Sequence, residues 1–84
     1  MRAYFITFRS VTLAQRGERT LRRGGMDCVL QRTPRWMEER GCGYCLRGRD
    51  REAPEAVRLL RQGKVPFRKV YYFSSPSDAR EVSL

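Results

Sequence analysis

The sequence contains no histidine and only three cysteines, and these scarcities exclude several kinds of site. A structural zinc site usually takes four cysteine or histidine ligands, so we expect no metal site within one chain and no cofactor. An odd number of cysteines without a secretory signal also disfavours a disulfide framework. With no imidazole available, a thiol is the best candidate that the chain offers for covalent chemistry.

Long apolar runs are lacking as well. No run approaches the roughly 18–20 residues that span a bilayer. The first residues, Met1 to Ile6, are typical of a strand and lack the apolar core and cleavage site of a signal peptide. We therefore expect a cytoplasmic protein without membrane contact, and its 84 residues predict one small domain.

Positive charge is abundant, although lysine is rare. The net charge is +9, and sixteen of the 18 basic residues are arginine. Such a charge suits a nucleic acid or another polyanion. The arginines are spread along the whole chain, however, as arginine-rich codon usage and ordinary solvated faces would also place them. Both interpretations stay open at this point.

The hydrophobic pattern predicts four strands and two helices. Aromatic and β-branched residues indicate strands at about 3–8, 27–32, 43–47 and 68–73. Ser10 or Thr12 can cap the first helix, and Thr12 with Gln15 has the spacing of a capping box. The glycine pair Gly24-Gly25 ends this helix. Pro54 suits the first turn of the second helix.

The resulting β-α-β-β-α-β order predicts an α+β, ferredoxin-like fold. Right-handed crossovers would place both helices on one face of a four-stranded antiparallel sheet, leaving the other face open to solvent or a partner. We expect residues 1–74 to form this domain and residues 75–84 to form a flexible C-terminal tail.

The most informative segment places a thiol between two glycines. Cys42 lies between Gly41 and Gly43 and follows the arginine-bearing stretch Thr33-Pro34-Arg35. The glycines remove side-chain bulk beside the thiol, and nearby arginines favour the reactive thiolate. This pattern makes Cys42 the candidate reactive residue, whereas Cys28 and Cys45 are interpreted as small buried hydrophobes.

Cys42 and Cys45 also have the C-x-x-C form of redox proteins. If the third strand begins at or before Cys42, three residues of strand separate the pair by about 10 Å. A disulfide needs Cα atoms about 4.4–6.8 Å apart. Dithiol redox chemistry is therefore the lesser hypothesis, and a single-cysteine role for Cys42 fits better.

Several of these features together resemble a known family. On the stretch from Tyr4 to Ser10, the Gly24-Gly25 helix end, Thr33-Pro34-Arg35 and Cys42-Gly43, the chain resembles the small bacterial Se/S carrier protein-like family, formerly a domain of unknown function. The resemblance covers about residues 3–73. It implies that Cys42 holds sulfur or selenium as a persulfide or selenosulfide and passes it to a partner, without enzymatic activity of its own.

The resemblance also suggests roles around the thiol. Arg35, together with Arg40, would stabilise an anionic persulfide through charge-assisted contacts, while Thr33 and Pro34 fix the loop and Gly43 leaves room for a donor. A desulfurase-like donor must supply the sulfur or selenium, and a second copy of the chain is a further candidate partner. The chain departs from the family at two positions: many members have Ser or Asp in place of Gly41, and many lack Cys45. Two roles for Cys45 stay open, since it either resolves the persulfide or packs in the core.

The same segment supports a competing hypothesis. Residues 40–47 align with the RNA-recognition consensus K/R-G-F/Y-G/A-F-V-x-F/Y, and the strand order and basic charge agree with it. Cys42 and Arg47, however, occupy positions where that consensus places aromatic residues. Binding of single-stranded RNA across the open sheet face is thus an alternative, as is a docking or dimerisation module without chemistry.

Overall fold

The computed structural model describes residues 2–34, 43–75 and 78–84. In chain order the elements are β1 (Ala3–Thr7), α1 (Val11–Arg23), β2 (Val29–Arg32), β3 (Tyr44–Arg49), a 3₁₀ turn (Asp50–Glu52), α2 (Ala53–Gln62), β4 (Val70–Ser75) and β5 (Asp78–Val82). The expected α+β class is confirmed.

The strands form one antiparallel sheet in the order β2-β3-β1-β4-β5. The expected four-stranded sheet is therefore wrong in strand number. Residues that we expected in a flexible tail form β5, which pairs with β4 so that Val70 lies opposite Val82. The sequence does not predict this strand, because its residues are mostly charged and Pro76 precedes it. An edge strand is held by backbone pairing and does not require an apolar pattern.

Both helices pack on the same face of the sheet. Tyr4 and Ile6 of β1 point to that face, and Ile6 lies opposite Leu46 of β3 and Val70 of β4. These side chains form one buried cluster with side chains from both helices: Ala14, Leu21, Ala53, Ala56, Val57 and Leu60. Burying an aliphatic or aromatic side chain contributes roughly 1.5–3 kcal/mol, so this cluster provides the main stabilisation of the fold.

The helix ends follow the local sequence signals. Ser10 caps α1, since its hydroxyl accepts a hydrogen bond from the Leu13 amide at 3.1 Å, so the alternative cap at Thr12 is not used. The Gly24-Gly25 pair ends α1 as predicted, and Gly25 has a φ of 85°. Pro54 lies in the first turn of α2, where its missing amide hydrogen costs no helical bond.

The other face of the sheet has a smaller cluster of its own. Phe5, Cys45 and Tyr71 lie together there and are 4%, 0% and 9% exposed. The Phe5 and Phe73 rings pack edge to face with centroids 5.7 Å apart. The expectation that this face is open is therefore wrong at these three positions.

Candidate functional site

The ends of β2 and β3 bracket the segment that contains the predicted site. Arg32 at the end of β2 lies opposite Tyr44 at the start of β3. One residue further out, the Thr33 amide donates a hydrogen bond to the Gly43 carbonyl at 2.8 Å. The chain thus leaves and re-enters the sheet at one point, and Cys42 is covalently attached to the anchored Gly43.

Only part of the predicted site lies within the described residues. Thr33, Pro34, Gly43 and Cys45 are described, and Thr33 and Gly43 are brought together by their hydrogen bond. The other predicted site residues, which are Arg35, Gly41 and Cys42 together with the supporting Arg40, lie outside the described residues.

Gly43 has a backbone conformation that favours glycine. Its φ is 79°, in the left-handed region that residues with a side chain rarely adopt, and it is buried. Gly43, which follows Cys42 in the chain, is further fixed by the hydrogen bond that its carbonyl accepts from the Thr33 amide. We conclude that Gly43 shapes the backbone beside the thiol.

Arg32 and Tyr44 form a second contact across the same strand ends. The Arg32 guanidinium carbon lies 5.2 Å from the centroid of the Tyr44 ring, which is a cation–π distance. Sequence reasoning did not include either residue in the site. The β2–β3 register is what places them together, and the sequence does not state that register.

Cys45 is enclosed by the sheet cluster. It points to the face opposite the helices, beside Phe5 and Tyr71, and its side chain has no exposed surface. The predicted burial of Cys45 is therefore confirmed. The expected separation of Cys42 and Cys45 required a third strand that begins at or before Cys42. Because β3 begins at Tyr44, that argument does not apply to this pair.

Cys28 is also buried, and its environment disfavours the thiolate. It is 3% exposed, just before β2, and Arg22 donates a hydrogen bond to its carbonyl at 2.7 Å. Burial raises the pKa of the Cys28 thiol, although the charge of Arg22 opposes that rise. A thiol with a raised pKa stays protonated at neutral pH and is a poor nucleophile.

Two features were not found among the described residues: a cluster of metal-ligating side chains and a membrane-spanning helix. No group of three or more histidine, cysteine, aspartate or glutamate side chains within residues 2–34, 43–75 and 78–84 could hold a metal. No helix in this part of the chain is long and apolar enough to cross a membrane.

Comparison with known proteins defines the class of protein. A family model described as "Putative Se/S carrier protein-like" matches residues 3–72, from the start of β1 into β4. The match covers most of the chain, and the protein belongs to this family. The resemblance noted from the sequence is thereby confirmed. Searches of curated proteins and of solved structures gave no match.

Proposed function

We propose that this protein is a sulfur or selenium carrier that holds a persulfide or selenosulfide on Cys42 and passes it to a partner protein. Membership of the Se/S carrier protein-like family supports the class of function. The burial of Cys28 and Cys45 is the observation that supports a role for Cys42. The protein would act in the cytoplasm as a carrier without enzymatic activity and would depend on a desulfurase-like donor.

The burial argument concerns access. A carrier thiol must bring its sulfur atom into bonding contact with the sulfur of a donor protein. Cys45 is fully enclosed beside Phe5 and Tyr71, and Cys28 is nearly so. Neither thiol can meet a donor without opening of the fold, and Cys42 is the remaining thiol of the three.

The anchored strand ends support the same assignment. The Thr33–Gly43 hydrogen bond and the left-handed turn at Gly43 hold the backbone that adjoins Cys42. Within the proposal, Pro34 restricts the start of the loop and Gly41 keeps side-chain bulk away from the thiol. Arg35 and Arg40 stabilise the anionic persulfide through charge-assisted contacts.

The transfer step needs no external oxidant. The Cys42 thiolate attacks the terminal sulfur of the donor's persulfide, and a new sulfur–sulfur bond forms on Cys42. The donor's own sulfur–sulfur bond breaks, and its cysteine leaves as a thiolate. A selenium atom would transfer in the same way, giving a selenosulfide.

The scaffold for this site is, we propose, a ferredoxin-like unit. The first four strands lie in the order β2-β3-β1-β4, and a helix follows β1 and β3. β5 then extends the sheet beside β4. In this arrangement residues 33–43, which contain Cys42 and are called the carrier loop here, connect the neighbouring strands β2 and β3.

Sulfur loading tests the proposal. The protein is incubated with a cysteine desulfurase and cysteine, and its intact mass is measured without reductant. Wild type and the matched controls Cys28→Ser and Cys45→Ser should each gain the mass of one sulfur atom, whereas Cys42→Ser should gain none. No addition to wild type, or equal addition to Cys42→Ser, would contradict the proposal.

The hypothesis that RNA binds across the centre of the sheet face loses support. Sheet-based RNA recognition stacks bases on exposed aromatic rings. Phe5 and Tyr71, the central aromatic residues of the face without helices, are buried. If Cys42 gains no sulfur, a docking or dimerisation module without chemistry becomes the alternative.

A further inference from the structure

A cavity of about 590 Å³ lies at the end of the sheet opposite the hydrogen-bonded Thr33 and Gly43. The register defines the two ends, because Ala3 lies opposite Arg49 at the cavity end while Thr7 lies opposite Cys45 near the loop. β2 begins only at Val29, opposite Arg47, so the neighbouring edge of β3 is left uncovered there. The cavity is within the volume range of small-molecule sites, about 300–1,000 Å³.

One side of the cavity is strongly cationic. Arg2, Arg47 and Arg49 line it, and all three are exposed. No carboxylate among the described residues lies within ion-pair distance of these three guanidinium groups. Arg47 and Arg49 are two residues apart on β3 and therefore point to the same face. Their mutual repulsion is a cost that a bound anion would remove, and a planar guanidinium suits phosphate oxygens.

The rest of the lining includes a fourth arginine, Arg22, together with acceptors and aromatic surface. Asp27 and Glu52 provide carboxylates, and neither pairs with a basic side chain in the part of the chain that the structure describes. Carboxylates accept hydrogen bonds from ribose hydroxyls in dinucleotide sites. Phe73 contributes a ring that is only partly buried. A simple inorganic anion would use the arginines and would not engage the Asp27 and Glu52 carboxylates.

We propose that this cavity binds a nucleotide, either free or as a unit of an RNA strand. The phosphate contacts Arg47, Arg49 and Arg2, the base lies against Phe73, and hydroxyl or amino groups donate to Asp27 and Glu52. The arrangement supplies charge, aromatic surface and acceptors in one cavity. The described residues that adjoin the Cys42 segment, Thr33 and Gly43, do not line this cavity, and its test does not depend on sulfur transfer.

Calorimetric titration of the full chain tests the site. The probes are adenosine monophosphate, uridine monophosphate, adenosine, inorganic phosphate and a short single-stranded RNA. We expect saturable binding of the monophosphates and weaker binding of adenosine and of phosphate. Arg47→Gln should weaken monophosphate binding at least about tenfold, because hydrogen bonds to charged groups contribute strongly. Arg49→Gln should act similarly.

Arg80→Gln is the matched control. It removes the same charge from an exposed residue of β5 that does not line the cavity, so it should leave binding unchanged. Circular dichroism verifies that each variant folds. If the RNA binds more tightly than the monophosphates and Arg47→Gln weakens RNA binding, the natural ligand is a nucleotide within an RNA strand. If the RNA and the monophosphates bind with equal affinity, the natural ligand is a free nucleotide.

Three results would overturn this inference. One is the absence of saturable binding by both monophosphates and RNA. Another is inorganic phosphate binding as tightly as the monophosphates, which would indicate an anion site only. The third is an equal loss of affinity in Arg80→Gln and Arg47→Gln, which would indicate diffuse charge attraction rather than a site.

Discussion

At the residue scale, burial gives the cysteine side chains of this protein different reactivities. Cys28 and Cys45 are thiols enclosed by apolar neighbours, and the raised pKa of Cys28 follows mainly from that burial. The sequence predicted that both are packing residues. It could not show that Cys45 lies in a separate cluster with Phe5 and Tyr71, because that depends on which residues of β1 and β4 lie beside β3.

Alkylation of the native protein checks this separation. At neutral pH, iodoacetamide should modify Cys42 at least about tenfold faster than Cys28 or Cys45, because burial hinders both and keeps Cys28 protonated. Peptide mass spectrometry at successive times gives the three rates. In denaturant the rates should converge. Native rates that are already equal would show that burial does not protect the two thiols.

Tyr4 provides a second residue-scale prediction. Its ring is fully buried over Gly48, and its hydroxyl has no hydrogen-bond partner among the described residues; burial also raises its pKa. A buried polar group without a partner costs about 1–3 kcal/mol. Tyr4→Phe should therefore raise the free energy of unfolding by about 1 kcal/mol or more.

The control for this change lies on the neighbouring strand. Tyr72 is opposite Tyr4 in the sheet but is only partly buried, so Tyr72→Phe should change stability by less than about 0.5 kcal/mol. Urea unfolding measures both variants. A loss of stability in Tyr4→Phe would mean that the hydroxyl is hydrogen-bonded in the protein.

At the element scale, local sequence signals predict most of the fold. The apolar runs place β1, β3 and β4 within a few residues of their observed positions, and the glycines and Pro54 mark the helix ends. β5 escapes such reasoning because its residues are mostly polar and its partner is the edge of β4. Likewise, the Thr33–Gly43 hydrogen bond depends on a register between strands that the sequence does not specify.

The cap of α1 is directly testable. Ser10→Ala removes the hydroxyl that accepts from the Leu13 amide and should lower the free energy of unfolding by about 1 kcal/mol. Thr12→Ala, two residues later and exposed, is the matched control and should change stability by less than about 0.5 kcal/mol. Thermal and urea unfolding compare the two. An equal loss in Thr12→Ala would show that Ser10 is not the dominant cap.

The contribution of β5 is equally measurable. Ending the chain after Ser75 removes the strand paired with β4 and the packing of Val82 on the core, so stability should fall by about 2–4 kcal/mol. The bare edge of β4 should also promote aggregation. Arg80→Ala keeps the strand and should be nearly neutral. A truncated protein as stable as the full chain would show that β5 adds nothing.

At the scale of the whole molecule, the sheet separates two regions of different chemistry. The strand ends that hold Thr33 and Gly43 present the proposed carrier loop, and the other end holds the arginine-lined cavity. The net charge of +9 did not reveal this division, since the arginines are spread evenly along the sequence. Folding is what gathers Arg2, Arg47 and Arg49 around one cavity.

Mapping the added sulfur in the wild-type chain tests the carrier assignment most directly. After loading with a desulfurase and cysteine, persulfides are trapped by alkylation, and the peptides that contain Cys28, Cys42 and Cys45 are analysed by mass spectrometry. We predict one extra sulfur atom on the Cys42 peptide, removed by reductant, and none on the other two positions. Sulfur found first on Cys28 or Cys45, or on no cysteine, would contradict the carrier role of Cys42.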